Sequence, residues 1–278
     1  MGLRIATNIQ SLAAQRALLK NQNAQSMSLE RLSSGSRINR AGDDAAGLAI
    51  SEKLKADIRS MKQAGRNTND GVSLVQVAEG AMNEIGNILI RLRELSIQSA
   101  SDTIGMTERG FINKEVQQLK LEVDRISNST EFNGTKLLNG THEEPLEFQI
   151  GINNQPLEDR FVFDTQRLTT TLEALGINEV STESKEFSQN NLMMLDAAIT
   201  HLNDNRAGLG ALQNRLGSSL NNLNVYIENL QGANSRIRDT DIAEETSELT
   251  KSNILNQANI AVLSQANSNA QVALKLLS

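Results

Sequence analysis

The sequence has no cysteine and no tryptophan, and it holds two histidines and two prolines among 278 residues. The absence of cysteine excludes disulfide scaffolds, thiolate zinc sites and cysteine nucleophiles. With His142 and His201 as the only histidines, a histidine-rich metal site is excluded as well. The prolines, Pro145 and Pro156, both lie near the middle, so long stretches on either side carry no helix breaker. This composition favours long helices at both ends.

Charge is unevenly spread along the chain. The formal net charge is -6, and residues 141–188 hold ten acidic and three basic side chains, a net of -7 that leaves the rest at +1. Such a chain lacks the positive field that nucleic-acid binding requires. The first ten residues have no apolar run, and the uncharged stretch 252–274 contains eleven Asn, Gln or Ser residues. We therefore expect neither a cleaved signal peptide nor membrane insertion.

Helical periodicity is strong from residue 43 to residue 100. Apolar residues recur there at three- and four-residue steps, and Asp43 or Asp44 is available as an N-cap. A second periodic segment follows residues 102–105 and predicts a helix that pairs with the first as a hairpin. Its apolar residues are Ile112, Val116, Leu119, Val123 and Ile126.

The most specific structural signal is a leucine repeat near the other end. Six leucines recur at intervals of seven and predict a coiled-coil seam: Leu195, Leu202, Leu209, Leu216, Leu223 and Leu230. Between the helical parts, residues 146–150 and 160–164 alternate like short strands. We predict a mainly α fold of long antiparallel coiled-coil helices from both chain ends, with a small β-hairpin element in the middle.

Both ends are poor in charge. Residues 1–29 and 252–278 carry four charged side chains in 56 positions, or 7%, against 22% for the chain. Helices whose polar faces are Asn, Gln and Ser are suited to burial against other protein. We therefore predict a polymerisation core formed by Ile5, Ile9, Leu12, Leu19, Ile242, Leu249, Ile260, Leu263, Leu274 and Leu277.

No residue is predicted to be catalytic, to bind a cofactor or to bind a metal. His142 stands beside two glutamates in a predicted turn, and His201 flanks the leucine seam. Residues 208–210 lack the third glycine and the preceding strand of a dinucleotide-binding loop.

Five blocks resemble the bacterial flagellin family in their order along the chain. They are TNIQSLAAQRALLKNQ at 7–22, LERLSSGSRINRAGDDAAGLAIS at 29–51, RLRELSIQSAS at 91–101, EVDRISNSTEFNGTKLLNG at 122–140 and IRDTDIAEETSELTKSNILNQANIAVLSQAN at 237–267. The resemblance covers residues 1–140 and 190–278 with interruptions.

The resemblance implies a subunit that polymerises with itself, or with other flagellins, into the flagellar filament for swimming. Its inner core domain would comprise 1–43 and 237–278, its outer rod domain 44–140 and 189–236, and its short variable region 141–188. The resemblance further implies an extracellular protein, exported without a cleaved signal, that meets an export chaperone, a cap protein and hook-junction proteins.

Family resemblance also implies recognition of the monomer by a Toll-like receptor through Arg91, Leu95 and Glu115, with Ile90 departing from the family's usual glutamine. Two other interpretations fit parts of the sequence. A hook-filament junction protein resembles flagellin at its ends, and a soluble coiled-coil adaptor would explain the heptads.

Overall fold

The structure of the protein is a computed structural model that describes residues 7–142 and 144–275, the side chains of 270–275 apart. The chain forms two compact units. Unit 1 contains the chain through Ile58 together with the chain from Glu228 onward, and unit 2 is Arg59–Ile227.

Unit 1 is built on two antiparallel helices, α1 (Ile9–Ser34) and α5 (Ile242–Lys275). Their direction follows from their contacts, because positions early in α1 meet positions late in α5. Asn8 Nδ2 donates to the Ala266 carbonyl at 3.0 Å, whereas Arg31 lies 3.6 Å from Glu245. The antiparallel pairing predicted for the two chain ends is therefore confirmed.

Helix α2 (Ala45–Ser99) begins where the sequence places its N-cap. Asp44 is the cap, since its Oδ1 accepts a hydrogen bond of 2.8 Å from the Gly47 amide. Asp43 instead accepts the amides of Asn39 and Arg40 at 3.0 and 2.9 Å, in the loop that precedes the helix. These backbone hydrogen bonds, Arg40 first, lower the pKa of Asp43.

Unit 2 packs α2 against α3 (Met106–Ser129) and α4 (Lys185–Arg238). Helices α2 and α4 run antiparallel, because Arg93 Nε lies 2.7 Å from Asp196 and Glu79 lies 4.0 Å from Arg206. A Cβ at Gly86 would stand 3.3 Å from a Leu202 methyl group. An interior glycine, unfavourable for the helix by itself, thus allows α4 to approach closely.

The leucine repeat of α4 forms the predicted seam over most of its length. Leu195, Leu202, Leu209 and Leu216 are at most 1% exposed. Leu223 and Leu230 are only half-buried. The core of unit 2, which includes residues of α3 and of the β-strands, reaches Leu216 and not Leu223.

Two antiparallel hairpins follow α3. The first pairs β1 (Glu131–Phe132) with β2 (Thr135–Lys136) through Asn133 and Gly134, whose φ values of 50° and 80° suit a tight turn. The second pairs β3 (Leu146–Gln149) with β4 (Arg160–Phe163). This second hairpin is the one that the alternating residues predict, with each strand ending one residue earlier.

Residues 165–184, here termed the core segment, have no regular secondary structure and yet enter the core of unit 2. Their buried apolar side chains are Leu168, Leu175, Ile177 and Val180. Ser99 Oγ donates to the Thr182 carbonyl at 3.0 Å, and Asn191 Nδ2 donates to the Ser181 carbonyl at 2.7 Å. The second half of the 141–188 region therefore packs with the helices.

Candidate assembly surface

The contact between α1 and α5 is made by small and polar residues. In α1 the buried residues are Ser11, Ala14, Asn21 and Ser28, which recur at heptad spacing. In α5 they are Glu245, Ser252 and Ala266, with the same periodicity. The seam that joins the two helices therefore removes little apolar area from water.

Polar side chains fix the alignment of the two helices. Asn21 Nδ2 donates to the Ser252 carbonyl at 2.7 Å inside the seam. Ser11 Oγ donates to Asn267 Oδ1 at 3.0 Å. Because a polar group inside a helix seam is satisfied in one register only, these hydrogen bonds specify how α1 and α5 align.

The large apolar residues of the same helices face outward. Their exposed fractions lie between 44% and 63%, although each is a residue that a folded core would normally cover. We call this set the terminal apolar surface: Ile9, Leu12, Leu19, Met27 and Leu29 of α1, and Ile242, Ile254, Leu255, Ile260 and Val262 of α5.

The ten residues predicted to form the polymerisation core differ in their exposure. Ile9, Leu12, Leu19, Ile242 and Ile260 belong to the terminal apolar surface. Leu249 and Leu263 are half-buried at positions of the α5 seam. Ile5, Leu277 and the side chain of Leu274 lie outside the described residues. Met27, Leu29, Ile254, Leu255 and Val262 were not predicted, because heptad spacing alone does not tell which face of a helix its partner covers.

Two separate segments, 35–37 after α1 and 238–240 before α5, hydrogen-bond to each other where α1 ends and α5 begins. Gly35 ends α1 with a φ of 68°, and its carbonyl accepts the Thr240 amide at 3.1 Å. The Arg37 amide donates to the Arg238 carbonyl at 2.6 Å. The Arg238 guanidinium also hydrogen-bonds Glu52, which lowers the pKa of that carboxyl. This contact was not predicted, because most of its hydrogen bonds join backbone groups.

The residues of the predicted receptor patch lie on α2 and α3. Arg91 lies 2.9 Å from Glu115 and 3.1 Å from Glu94, and the hydrogen bond that it donates to Glu115, followed by the one to Glu94, raises the pKa of Arg91. Leu95 is 2% exposed and belongs to the core of unit 2. The structure therefore joins the two charged residues at the surface and places the leucine inside.

A cleft of about 450 Å³ lies beside α4, with His201 on its wall. Within residues 7–142 and 144–275, no three His, Asp or Glu side chains come together as a metal cluster would require. In that same part of the chain, no helix is long and apolar enough to cross a membrane.

Family models for the N-terminal and C-terminal helical regions of bacterial flagellin match residues 5–143 and 192–277. The chain is 44% identical over 272 residues to a flagellin of Halalkalibacterium halodurans, covering 97% of this chain and 98% of that one. It is 42% identical to a flagellin of Bacillus subtilis, and the match covers 99% of this chain and 100% of that one. A 33 kDa flagellar filament core protein of Treponema phagedenis is 41% identical, with coverage of 97% and 98%.

Solved structures agree with these matches. The crystal structure of Bacillus cereus flagellin superposes with a TM-score of 0.50 at 32% identity, covering 57% of this chain and 88% of that one. A Vibrio parahaemolyticus protein described as flagellar hook-associated reaches a TM-score of 0.58 at 10% identity, covering 71% and 100%, and so shares the fold alone. Identity over nearly the full length favours flagellin over a junction protein or an adaptor. The chain belongs to the bacterial flagellin family and is a structural subunit of the extracellular flagellar filament.

Proposed function

We propose that the terminal apolar surface is the contact through which copies of this chain polymerise. In this proposal residues 1–43 and 237–278 form the inner layer of the filament, 44–140 and 189–236 form the outer rod, and 141–188 form the short variable region between the two rod segments. The observation that supports this proposal is the arrangement of unit 1, which is the reverse of an ordinary core: polar residues are buried in the seam, and large apolar residues are exposed. The role of the chain is thus structural and not catalytic.

The free energy of apolar burial favours a second copy of this chain as the partner that covers the terminal apolar surface. Fully burying a Leu or Ile side chain stabilises by about 1.5–3 kcal/mol, so covering side chains that are about half exposed contributes about 1 kcal/mol each. The same faces carry few charges, and Asn, Gln and Ser side chains lose little on burial if they find hydrogen-bond partners. Polymerisation supplies both the apolar cover and those partners.

The test is the critical concentration for filament assembly. Leu19→Ser and Ile260→Ser each remove one exposed aliphatic side chain. In the single chain Leu19 is 59% exposed and Ile260 is 55% exposed. We expect each to raise the critical concentration about 5- to 30-fold, which corresponds to a loss of one to two kcal/mol per subunit. Leu157→Ser is the matched control, because Leu157 is 98% exposed at the tip of the β3–β4 hairpin. Unchanged assembly of the first two variants would overturn the proposal.

We also propose export without a cleaved signal, with a chaperone covering the terminal apolar surface until assembly. The cap and hook-junction proteins would meet the same surface at the filament ends. Membership of the flagellin family supports the export step, and the exposed apolar residues of α1 and α5 support the contact with a chaperone. The mass of protein sheared from filaments tests the export step, since an intact N-terminus is expected and a shortened one contradicts it.

A second proposed role is recognition of the monomer by a Toll-like receptor. It is favoured by the surface pairing of Arg91 with Glu115, which lie on different helices. We expect Arg91→Ala to weaken signalling in a receptor reporter assay, while Arg93→Ala, which disrupts the pair with Asp196 instead, leaves it intact. Equal signalling by both variants refutes the assignment. Leu95→Ala is not a useful test of receptor contact, because removing this buried side chain would disturb the packing of the core of unit 2.

A further inference from the structure

The methionines of this chain differ sharply in their access to solvent. The sequence has seven methionines and no cysteine, so the thioether is its most easily oxidised side chain. Met194 is half-buried, and Met1 lies outside the described residues. The other five form a buried pair, Met61 and Met82 at 5% and 0% exposure, and an exposed trio, Met27, Met106 and Met193 at 46%, 82% and 80%. A dissolved oxidant therefore reaches the trio and not the pair.

Met27 differs from the other two exposed methionines in its place in the fold. Met106 is the first residue of α3 and Met193 lies in α4, both in unit 2. Met27 lies in α1 and is part of the terminal apolar surface. Among the methionines of the described residues, it alone combines access to an oxidant with a place in that surface.

The side chains around Met27 leave it as the apolar group of its helical turn. Glu30 and Arg31 stand three and four residues further along α1, on the neighbouring turn. Glu30 is paired with Arg40 at 3.0 Å, and Arg31 lies 3.6 Å from Glu245. Because both charges already have partners, what Met27 offers to a neighbouring molecule is apolar area and a polarisable sulfur.

We propose that Met27 is an oxidation site that controls assembly: its conversion to methionine sulfoxide by hydrogen peroxide removes a subunit from polymerisation. The inference rests on the proposed function, because it takes the terminal apolar surface as the assembly contact. In the reaction the sulfur loses two electrons and gains one oxygen atom. The O–O bond of the peroxide breaks, and the peroxide is reduced to one molecule of water.

The effect on assembly follows from the polarity of the product. The sulfoxide oxygen is a hydrogen-bond acceptor that water solvates in the monomer. Covering it with a neighbouring copy removes that water, which is unfavourable unless the neighbour supplies a donor. A subunit already in the filament has Met27 covered and is protected, so the monomer is the sensitive form. Methionine sulfoxide reductases reverse the reaction, and assembly returns with it.

The experiment treats full-length monomer with hydrogen peroxide, removes the peroxide with catalase and measures the critical concentration for filament assembly. Peptide mass spectrometry locates the added oxygen. We expect sulfoxide at Met27, Met106 and Met193 and none at Met61 or Met82. The critical concentration of the treated parent should rise roughly tenfold, because a buried acceptor is left without its water.

Two variants of similar side-chain volume separate Met27 from the other exposed methionines. Met27→Leu keeps the apolar area and cannot form a sulfoxide, so its critical concentration should not change on treatment. Met193→Leu is the matched control and should respond to peroxide like the parent. Treatment of the oxidised parent with methionine sulfoxide reductases should restore assembly, and this arm needs no variant.

Three results overturn the inference: normal assembly of monomer whose Met27 is fully oxidised, loss of assembly in peroxide-treated Met27→Leu, or resistance of Met27 to peroxide equal to that of Met82. The proposed function is tested separately, by Leu19→Ser and Ile260→Ser without peroxide. If those variants assemble poorly while oxidised parent assembles normally, the oxidation site fails and the assembly surface stands. If they assemble normally, the assembly surface itself fails.

Discussion

Lys120 is buried in unit 2, where it fastens α3 to the core segment. It is 7% exposed, and its Nζ donates to the carbonyls of Asn178 and Val180 at 2.6 and 3.1 Å. Burial lowers the pKa of this ammonium group from its ordinary value of 10.5. The side chain thus ties an irregular segment to a helix while holding a charge away from water.

We predict that Lys120→Met destabilises the monomer by about 1–2 kcal/mol at neutral pH, because the carbonyls of Asn178 and Val180 lose the hydrogen bonds donated by the ammonium group. The pH dependence is a sharper test. In the window between the lowered pKa and 10.5, the unfolded state holds more protons than the folded state, so burial of Lys120 makes stability rise with pH.

The measurement is urea unfolding of parent and variant from pH 7 to pH 10.5. The gap in unfolding free energy between parent and Lys120→Met should widen as the pH rises toward 10.5. Lys114→Met, which removes an exposed lysine of the same helix, is the matched control for the substitution itself. A gap that narrows with rising pH would show that the ammonium form is the one stabilised by burial.

At the scale of elements, the α4 seam offers two identical substitutions in different surroundings. Leu209→Ala removes a side chain that is 1% exposed, and we expect a loss of about 2–5 kcal/mol in the unfolding free energy of the monomer. Leu223→Ala, at the same heptad position but half-buried, should cost less than half as much. Denaturant unfolding of both checks this. Equal losses would mean that the seam is uniformly packed.

The elements also show where sequence reasoning succeeds. Strong periodicity predicted α2, α3, α4 and the antiparallel fold, because large apolar residues at helical spacing must be buried together. The pairing of α1 with α5 was predicted but its buried residues were not, because residues such as Ser11, Asn21 and Ser252 carry no hydrophobic signal. The core segment was missed for another reason. Leu168, Leu175 and Ile177 are buried without any regular period.

The candidate functional residues, like the elements, could be predicted from the sequence only in part. The leucines and isoleucines of the two chain ends could be predicted as assembly residues, because the polar residues around them in the sequence are mostly uncharged Asn, Gln and Ser. Whether Ile9 or Leu249 faces outward depends on which partner residues fill the seam, and this requires the tertiary structure. The cleft at His201 joins α4 with residues more than twenty-five positions earlier, so sequence spacing gave no sign of it.

At the scale of the whole molecule, the polar seam of unit 1 predicts weakly held ends in an isolated subunit. Ordering each residue costs about 1–2 kcal/mol in backbone entropy, and a seam of Ser, Ala and Asn offsets little of that cost. We expect limited proteolysis of monomer to trim both ends to a fragment near 44–236, whereas filaments resist. Monomer whose ends survive as long as that central fragment would contradict this.

The central claim is that the terminal apolar surface is covered by neighbouring copies in the filament. The chain has no cysteine, so Leu19→Cys, Ile260→Cys and Leu157→Cys each introduce a single thiol probe. Maleimide labelling rates should be high for all three in monomer. In filaments the first two should fall roughly tenfold or more, while the Leu157→Cys control keeps its rate, because thiol reactivity follows exposure. Labelling of Leu19→Cys and Ile260→Cys in filaments as fast as in monomer would contradict the account.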